Sequence, residues 1–285
     1  MIIESKSFSK ILFRELGDYK KYIIKNKLDK VLRISLKKTF KINKKIYRDP
    51  YITVRKKIKN PFPPELDDLC RLHYLIVSRK VNTILEFGVG KSTVIFNDGL
   101  IQNRINYRQY VKNNLRIPNP FFCYSLDNYK KWVNKVKLEY KLTNIKFKIS
   151  KLKMSTFNGR ICTLYSNLPN VCPELIYLDG PDLYSVEGNI RGISTKNEER
   201  LPMAGDILTM EHFLLPGTLI VVDGRTANAR FLKCNLQRDW IYCHDKKHDQ
   251  HFFELCEEPL GNLNSLQIKH CLGKDYFKRL KSFTK

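Results

Sequence analysis

A glycine-containing turn between Ile84 and Thr93 carries the residue types that point most clearly to ligand binding. Its sequence is Ile-Leu-Glu-Phe-Gly-Val-Gly-Lys-Ser-Thr, so an apolar stretch ends in Glu86, Gly88 and Gly90 before a predicted helix. Glycines at a strand-to-helix turn let a ligand approach the backbone closely, and the amides of the helix N-terminus then face that ligand. The pattern therefore predicts a cofactor site at this turn.

Two phosphate-binding motifs share part of this turn but lack a required glycine. A P-loop needs a glycine five positions before Gly90, where this chain has Leu85. A dinucleotide-binding fingerprint needs a third glycine, where this chain has Thr93. A P-loop ATPase or kinase is therefore the weaker alternative, and it would depend on Lys91.

Acidic side chains recur at the ends of three later apolar stretches. Asp127 ends Phe-Cys-Tyr-Ser-Leu-Asp, Asp179 begins Asp-Gly-Pro-Asp182, and Asp223 begins Asp-Gly-Arg225. Ligands bind beyond the carboxyl ends of the strands in an open α/β sheet, so we expect these residues to converge with the glycine turn. Asp179, Asp182 and Asp223 are candidates for a general base or a substrate ligand, and Arg225 could hold an anionic group. Each acid could instead cap a helix or order a turn.

The E-x-G-x-G turn, followed by Ser-Thr and by acids at later strand ends, resembles class I S-adenosylmethionine-dependent methyltransferases. The resemblance implies that Glu86, Gly88 and Gly90 cradle the methionine part of S-adenosyl-L-methionine. It also implies that Asp127 binds the ribose hydroxyls and that a loop containing Ser155, after the third strand, flanks the adenine.

Two metal sites are weaker alternatives. Asp179 and Asp223 are reminiscent of the magnesium ligands of catechol-type O-methyltransferases, but an Asn follows the second acid there and Gly224 follows it here. A divalent metal such as magnesium is therefore not favoured.

Three histidines in Cys-His-Asp-Lys-Lys-His-Asp-Gln-His could indicate zinc. Only His244 and His251 would lie on paired strands, with His248 in the connecting turn. This placement favours a solvated turn over a metal cluster.

Strand-like and helix-like stretches alternate between residues 65 and 237 and would position these side chains. The predicted strands are residues 82–87, 121–127, 145–149, 175–179 and 219–223, and the predicted helices are residues 65–78, 92–102, 129–141, 204–215 and 227–237. Residues 103–120 are interpreted as an insertion, because Asp127 lies 37 residues after Gly90. Residues 240–244 and 251–256 are predicted to pair as a terminal antiparallel hairpin. The expected fold is α/β, with a doubly wound, mostly parallel seven-stranded sheet.

Residues 1–60 are interpreted as a basic, helical N-terminal extension, and residues 61–285 as a Rossmann-like methyltransferase domain. The extension has 19 Lys and Arg against 5 Asp and Glu, which gives +14 of the chain's net charge of +24. The segment Asn-Pro-Phe-Pro-Pro at residues 60–64 cannot continue a helix and marks the boundary. Such a basic segment could bind nucleic acid, an anionic membrane surface or an acidic glycan, or could simply reflect a lysine-rich composition.

Composition narrows the class of protein. Hydrophobic residues make up 42% of the chain, and no apolar run reaches the roughly 18 residues of a membrane span. The eight scattered cysteines and the charge-interrupted N-terminus predict a cytoplasmic protein with reduced thiols. The expected function is methyl transfer to an oxygen or nitrogen of a small-molecule or glycan-type acceptor. The alternative is a nucleic-acid-binding or RNA-modifying protein that uses residues 1–60.

Overall fold

The computed structural model describes residues 16–39, 65–181, 185–197 and 203–283. These residues form a mixed α/β structure with two β-sheets. The strands are β1 (Thr83–Phe87), β2 (Phe122–Asp127), β3 (Ile145–Ile149), β4 (Leu152–Phe157), β5 (Arg160–Tyr165), β6 (Leu175–Leu178), β7 (Val186–Glu187), β8 (Leu219–Asp223), β9 (Trp240–Asp245) and β10 (Gln250–Leu255). The helices are α1 (Leu16–Asn26), α2 (Leu28–Leu32), α3 (Leu66–Ser78), α4 (Lys91–Asn114), α5 (Lys130–Glu139), α6 (Asp206–Met210), α7 (Thr226–Lys233), α8 (Gly261–Cys271) and α9 (Lys274–Phe283), and Glu211–Phe213 forms a 3-10 helix.

The larger sheet has seven strands in the order β3-β2-β1-β6-β8-β10-β9. Strands β3, β2, β1, β6 and β8 are parallel, and β10 is antiparallel to both β8 and β9. The predicted mostly parallel sheet and its terminal hairpin are therefore confirmed. After β3 the chain crosses to the other side of β1, so the strand order reverses between β1 and β6. In open α/β sheets, this reversal point is where ligands bind.

The large sheet is buried on both faces. Ile84, with other alternate strand residues, packs in a core with side chains of α3 and α4. Its neighbour Leu85 packs in a second core with side chains of α6 and α7. Strands buried on both faces are mostly apolar, and all five residues of β1 are buried, with Glu86 as its buried acid. This explains why β1 could be predicted from the sequence.

The described part of the N-terminal segment packs on the first of these cores. Tyr19 and Ile23 of α1 and Leu28 and Leu32 of α2 are buried there. The hydroxyl of Tyr140 donates to the Leu32 carbonyl oxygen at 2.9 Å, which joins this segment to the end of α5. The predicted boundary near residue 60 lies outside the described residues.

The structure departs from the sequence predictions in three respects. The helix predicted at residues 92–102 is longer, because α4 continues to Asn114 and Val111 packs with Leu115 and Phe121, so most of the segment interpreted as an insertion is helical. Residues 154–156 are not a loop, because they lie in β4. Strand β4 pairs with β5 and β7 in a three-stranded sheet that the sequence analysis missed.

Within the part of the chain that the structure describes, no helix has both the length and the apolar character needed to cross a membrane.

Candidate functional site

The turn after β1 is packed directly against the end of β6. Gly88 has φ +101°, and a Cβ added to it would lie 2.7 Å from the Gly180 nitrogen. The amides of Asp179 and Gly180 both donate to the Phe87 carbonyl oxygen, at 3.1 and 2.6 Å. Sequence reasoning attributed Gly88 to the approach of a ligand. The structure gives a different reason, since both the positive φ and the contact with Gly180 exclude a side chain.

Gly90 has open space beside it. Its φ of −166° is extended backbone, and an added Cβ would meet only the Ser92 Oγ, at 3.8 Å. The Gly90 amide donates to Thr93 Oγ1 at 2.9 Å, which fixes the start of α4. Of the two predicted cradle glycines, Gly90 is the one whose missing side chain leaves room for a ligand.

Glu86 is an internal anchor of the turn. Its side chain is completely buried, and its carboxylate accepts hydrogen bonds from Ser92 (2.6 Å), Thr93 (2.8 Å) and Ser125 (2.5 Å). Burial raises the pKa of Glu86 to about 8, although the three hydroxyl donors oppose the shift. Glu86 therefore joins β1, β2 and the start of α4. This network was not predicted, although the adjacent Ser92 and Thr93 were visible in the motif.

Asp127 lies against the glycine turn, as predicted from its place at the end of β2. Its carboxylate accepts the Val89 amide at 2.8 Å and the Tyr129 amide at 2.7 Å. Only 5% of the residue is exposed. Asp127 thus fixes the turn from the side of β2, and its binding of a ribose stays a prediction.

Asp179 is the exposed acid at the reversal of strand order. Crowding by surrounding protein atoms, followed by the charge of Asp223, raises its pKa, while Arg225 opposes the shift. An exposed carboxyl group with a raised pKa at such a sheet edge is a candidate for proton transfer.

Asp223 is half-buried and held by two neighbours. The Tyr177 hydroxyl donates to its Oδ2 at 2.6 Å, and the Gln250 amide group donates to its Oδ1 at 3.3 Å. Burial raises the pKa of Asp223, and these two hydrogen bonds act in the opposite direction. Asp223 is therefore more constrained than Asp179, and it orders the adjacent strand end.

A buried arginine, Arg71, is linked through Gln250 to Asp223 at this edge of the sheet. Arg71 is 1% exposed, donates to Gln250 Oε1 at 3.0 Å, and also hydrogen-bonds Asp68. Because Gln250 contacts Asp223, the chain Arg71–Gln250–Asp223 connects α3 to β8 through β10. Sequence reasoning missed Arg71, whose spacing from Asp67 and Asp68 on a predicted helix was the available signal.

Two of the remaining predicted site residues, Arg225 and Ser155, lie in different parts of the structure. Arg225 donates through Nη2 to the Pro181 carbonyl oxygen at 3.3 Å. Its Nη1 is buried and has no hydrogen-bond partner among the described residues. Ser155 lies in β4 opposite Cys162. Asp182 lies outside the described residues.

Lys91 is held by the end of α5. Its Nζ donates to Glu139 Oε1 at 2.8 Å and also hydrogen-bonds the Tyr140 hydroxyl. The same Nζ lies 4.4 Å from the centre of the Tyr140 ring. A P-loop lysine contacts phosphate, so Lys91 would have to break its contacts with Glu139 and Tyr140 to act as one.

Three side chains of metal-ligating type cluster at the β9–β10 hairpin in the described structure. His244, Asp249 and His251 place one potential ligand atom each within 4.8 Å of one another. His248 lies in the turn, as predicted, where its Nδ1 contacts Asp245 Oδ2 at 2.7 Å.

No protein-family model matches this chain, and no curated protein matches it at a significant level. The fold and the geometry of the site are therefore the observations that bear on function.

Proposed function

We propose that the chain is an enzyme that binds a nucleoside-containing cofactor at the carboxyl edge between β1 and β6. The contact that supports this proposal most directly is the 2.8 Å hydrogen bond from the Val89 amide to Asp127. It holds the glycine turn and the acid at the end of β2 together, where α/β enzymes bind the ribose of a cofactor. The open space beside Gly90 fits a ligand that approaches this turn.

We further propose that the cofactor is S-adenosyl-L-methionine and that the reaction is methyl transfer to an oxygen or nitrogen. The E-x-G-x-G turn and the antiparallel hairpin at the sheet edge support this over a fully parallel dinucleotide-binding sheet. The Rossmann-like, doubly wound description of the sheet belongs to this proposal. The bound cofactor would supply a methyl group already activated on a sulfonium.

The chain's own residues would then align and deprotonate the acceptor. Asp179 is exposed at the edge and has a raised pKa, so it is the best-placed side chain to accept a proton from an acceptor hydroxyl. Arg225, which is partly exposed at this edge, would bind an anionic group of the acceptor. Asp223, held by Tyr177 and Gln250, would position this edge. A small-molecule or glycan-type acceptor and a cytoplasmic location remain part of this proposal.

The contacts of Lys91 argue against the ATPase or kinase alternative. A P-loop lysine binds the β- and γ-phosphates of the nucleotide. Here the Lys91 Nζ is paired with Glu139 and Tyr140. The turn also lacks the glycine that a P-loop needs at position 85.

A nucleic-acid acceptor or partner is a second candidate, favoured by one lysine-rich surface. Residues 128–153 contain nine lysines and one acid, Glu139, so they carry +8. Aromatic side chains lie beneath some of these lysines: the Lys146 Nζ lies 4.4 Å from the centre of the Phe122 ring and 5.1 Å from that of Tyr124. Interleaved basic and aromatic side chains are typical of surfaces that bind single-stranded nucleic acid. Binding of a single-stranded oligonucleotide that weakens steeply with salt would support this candidate.

Thermal unfolding with and without S-adenosylhomocysteine tests the cofactor proposal. A ligand present at one hundred times its Kd stabilises the folded state by about 2.7 kcal/mol, which should raise the wild-type midpoint by several degrees. Gly90→Val should unfold near the wild-type temperature without ligand, because Gly90 has extended backbone and open space. It should lose most of the ligand-induced shift. A full shift in Gly90→Val would contradict the placement of the cofactor.

A further inference from the structure

The β9–β10 hairpin brings together three side chains of metal-ligating type that the proposed reaction does not use. His244 in β9 is the cross-strand partner of His251 in β10, and Asp249 lies immediately before β10. The His244 Nε2 is 3.9 Å from Asp249 Oδ1. Four ligands at about 2.1 Å around a tetrahedral zinc ion lie about 3.4 Å from one another. The observed spacing is therefore within a small side-chain movement of a metal site.

Two neighbouring hydroxyl groups orient the His251 ring, in the way that hydrogen-bond partners behind a metal-binding histidine commonly do. Its Nδ1 lies 2.9 Å from the Tyr242 hydroxyl, and its Nε2 lies 3.1 Å from Thr226 Oγ1. With the proton on Nδ1, the Nε2 lone pair faces the cluster. The Thr226 hydroxyl also lies 3.3 Å from Asp249 Oδ1, so it borders the same space. Metal-binding histidines usually donate the N–H of their second nitrogen to a neighbouring oxygen in this way.

One ring nitrogen of the cluster is left without a hydrogen bond among the described residues. The His244 Nε2 is buried and has no hydrogen-bond partner within the described ranges. Buried polar atoms are ordinarily hydrogen-bonded, so an orphan ring nitrogen beside a carboxylate and a second histidine points to a ligand. His251, the other histidine, is completely buried. The two rings stack with their centres 3.9 Å apart.

We propose that His244, Asp249 and His251 bind one divalent cation of the zinc class, with the Thr226 hydroxyl or a water at the fourth position. Two imidazole nitrogens and one carboxylate favour Zn²⁺, Co²⁺ or Ni²⁺ over Mg²⁺ and Ca²⁺, which prefer oxygen ligands. The ion would connect the hairpin to Thr226, the first residue of α7. It would also brace the end of β8, because the Gly224 amide donates to the Asp249 carbonyl oxygen at 2.9 Å.

Titration of the metal-free full chain with Co²⁺ tests this site independently of any catalytic activity. We expect one equivalent of Co²⁺ to give the visible absorption of a low-symmetry site, without the thiolate-to-cobalt band that binding by cysteines would produce. His244→Ala and Asp249→Asn should each weaken binding at least tenfold. Both positions are partly or fully exposed, so these variants should fold, and circular dichroism checks that they do.

His248→Ala is the matched control. His248 belongs to the same hairpin but contacts Asp245 and Tyr19 instead of the cluster. It should bind Co²⁺ like the wild type, and Zn²⁺ should raise the unfolding temperature of both proteins but not of His244→Ala. Lack of stoichiometric binding by the wild type would overturn the proposal, as would equal binding by His244→Ala or loss of binding in His248→Ala.

Discussion

Gly88 and Gly180 meet backbone to backbone, so closely that a Cβ on either residue would lie 2.7 Å from the other. The turn after β1 and the end of β6 therefore support each other before any ligand binds. Gly88→Ala should destabilise the fold by about 1–3 kcal/mol, because it adds both a clash and a strained positive φ.

Gly90→Ala is the matched variant and should change the free energy of unfolding by less than about 0.5 kcal/mol. Urea unfolding of both variants measures the difference. Equal stabilities of the two proteins would show that the Gly88–Gly180 contact does not constrain the fold. A large substitution at Gly88 would therefore test folding, whereas a substitution at Gly90 tests ligand binding.

Glu86 should make stability depend on pH. Its pKa is raised from 4.5 to about 8 in the folded chain, so the folded state binds the proton more tightly than the unfolded state. The stabilisation is fully present below about pH 4.5 and is lost as pH rises through 8. Glu86→Gln cannot ionise, so its free energy of unfolding should fall less between pH 5 and about 8 than that of the wild type. Other acids contribute equally to both proteins, and parallel profiles would argue against a protonated Glu86.

Arg71 should be among the side chains most important for stability. It is buried with Asp68, Gln250 and Tyr19 around it, and removing one partner of a buried ion pair typically costs about 3–5 kcal/mol. Arg71→Ala should therefore lose stability in that range in chemical unfolding. Lys151 is a control, because its ion pair with Glu187 is largely exposed and such pairs contribute about 0–1 kcal/mol. A similarly small effect at Arg71 would show that the network does not hold the edge together.

Asp179→Asn should separate catalysis from cofactor binding once an acceptor is known. Loss of a general base typically lowers the rate by about 10²–10⁴-fold, while the affinity for S-adenosylhomocysteine should change little. Because the pKa of Asp179 is raised, wild-type kcat/KM should fall as pH decreases through a value above the ordinary range of an aspartate. The residual activity of the variant should lack this inflection. Asp239→Asn, which changes an exposed acid at the other edge of the sheet, should behave like the wild type.

The sequence predicted those elements whose pattern is set by burial in the large sheet. Strand β1 and the pairing of His244 with His251 were predictable because apolar runs and a polar turn mark them. The hairpin of β4 and β5 was missed, although Asn158 and Gly159, both with positive φ, are a typical hairpin turn. The length of α4 was missed because its distal half packs on a small separate cluster around Val111.

The convergence of the strand-end acids was predictable from the sequence, but the contacts of the candidate site residues were not. Acids at strand ends converge because parallel strands end at one edge, which the sequence pattern indicates. The roles of Glu86, Gly88 and Arg71 depend instead on partners distant in sequence. Ser125, Gly180 and Gln250 contact them only after the sheet has formed, and no local spacing encodes those contacts.

Calorimetric titration of the purified chain with S-adenosylmethionine, S-adenosylhomocysteine and ATP tests the proposed function most directly, since it identifies the cofactor without knowledge of the acceptor. We predict binding of one equivalent of each adenosyl ligand with micromolar affinity, and no comparable binding of ATP. Binding of ATP alone, or of none of the three, would contradict a methyltransferase.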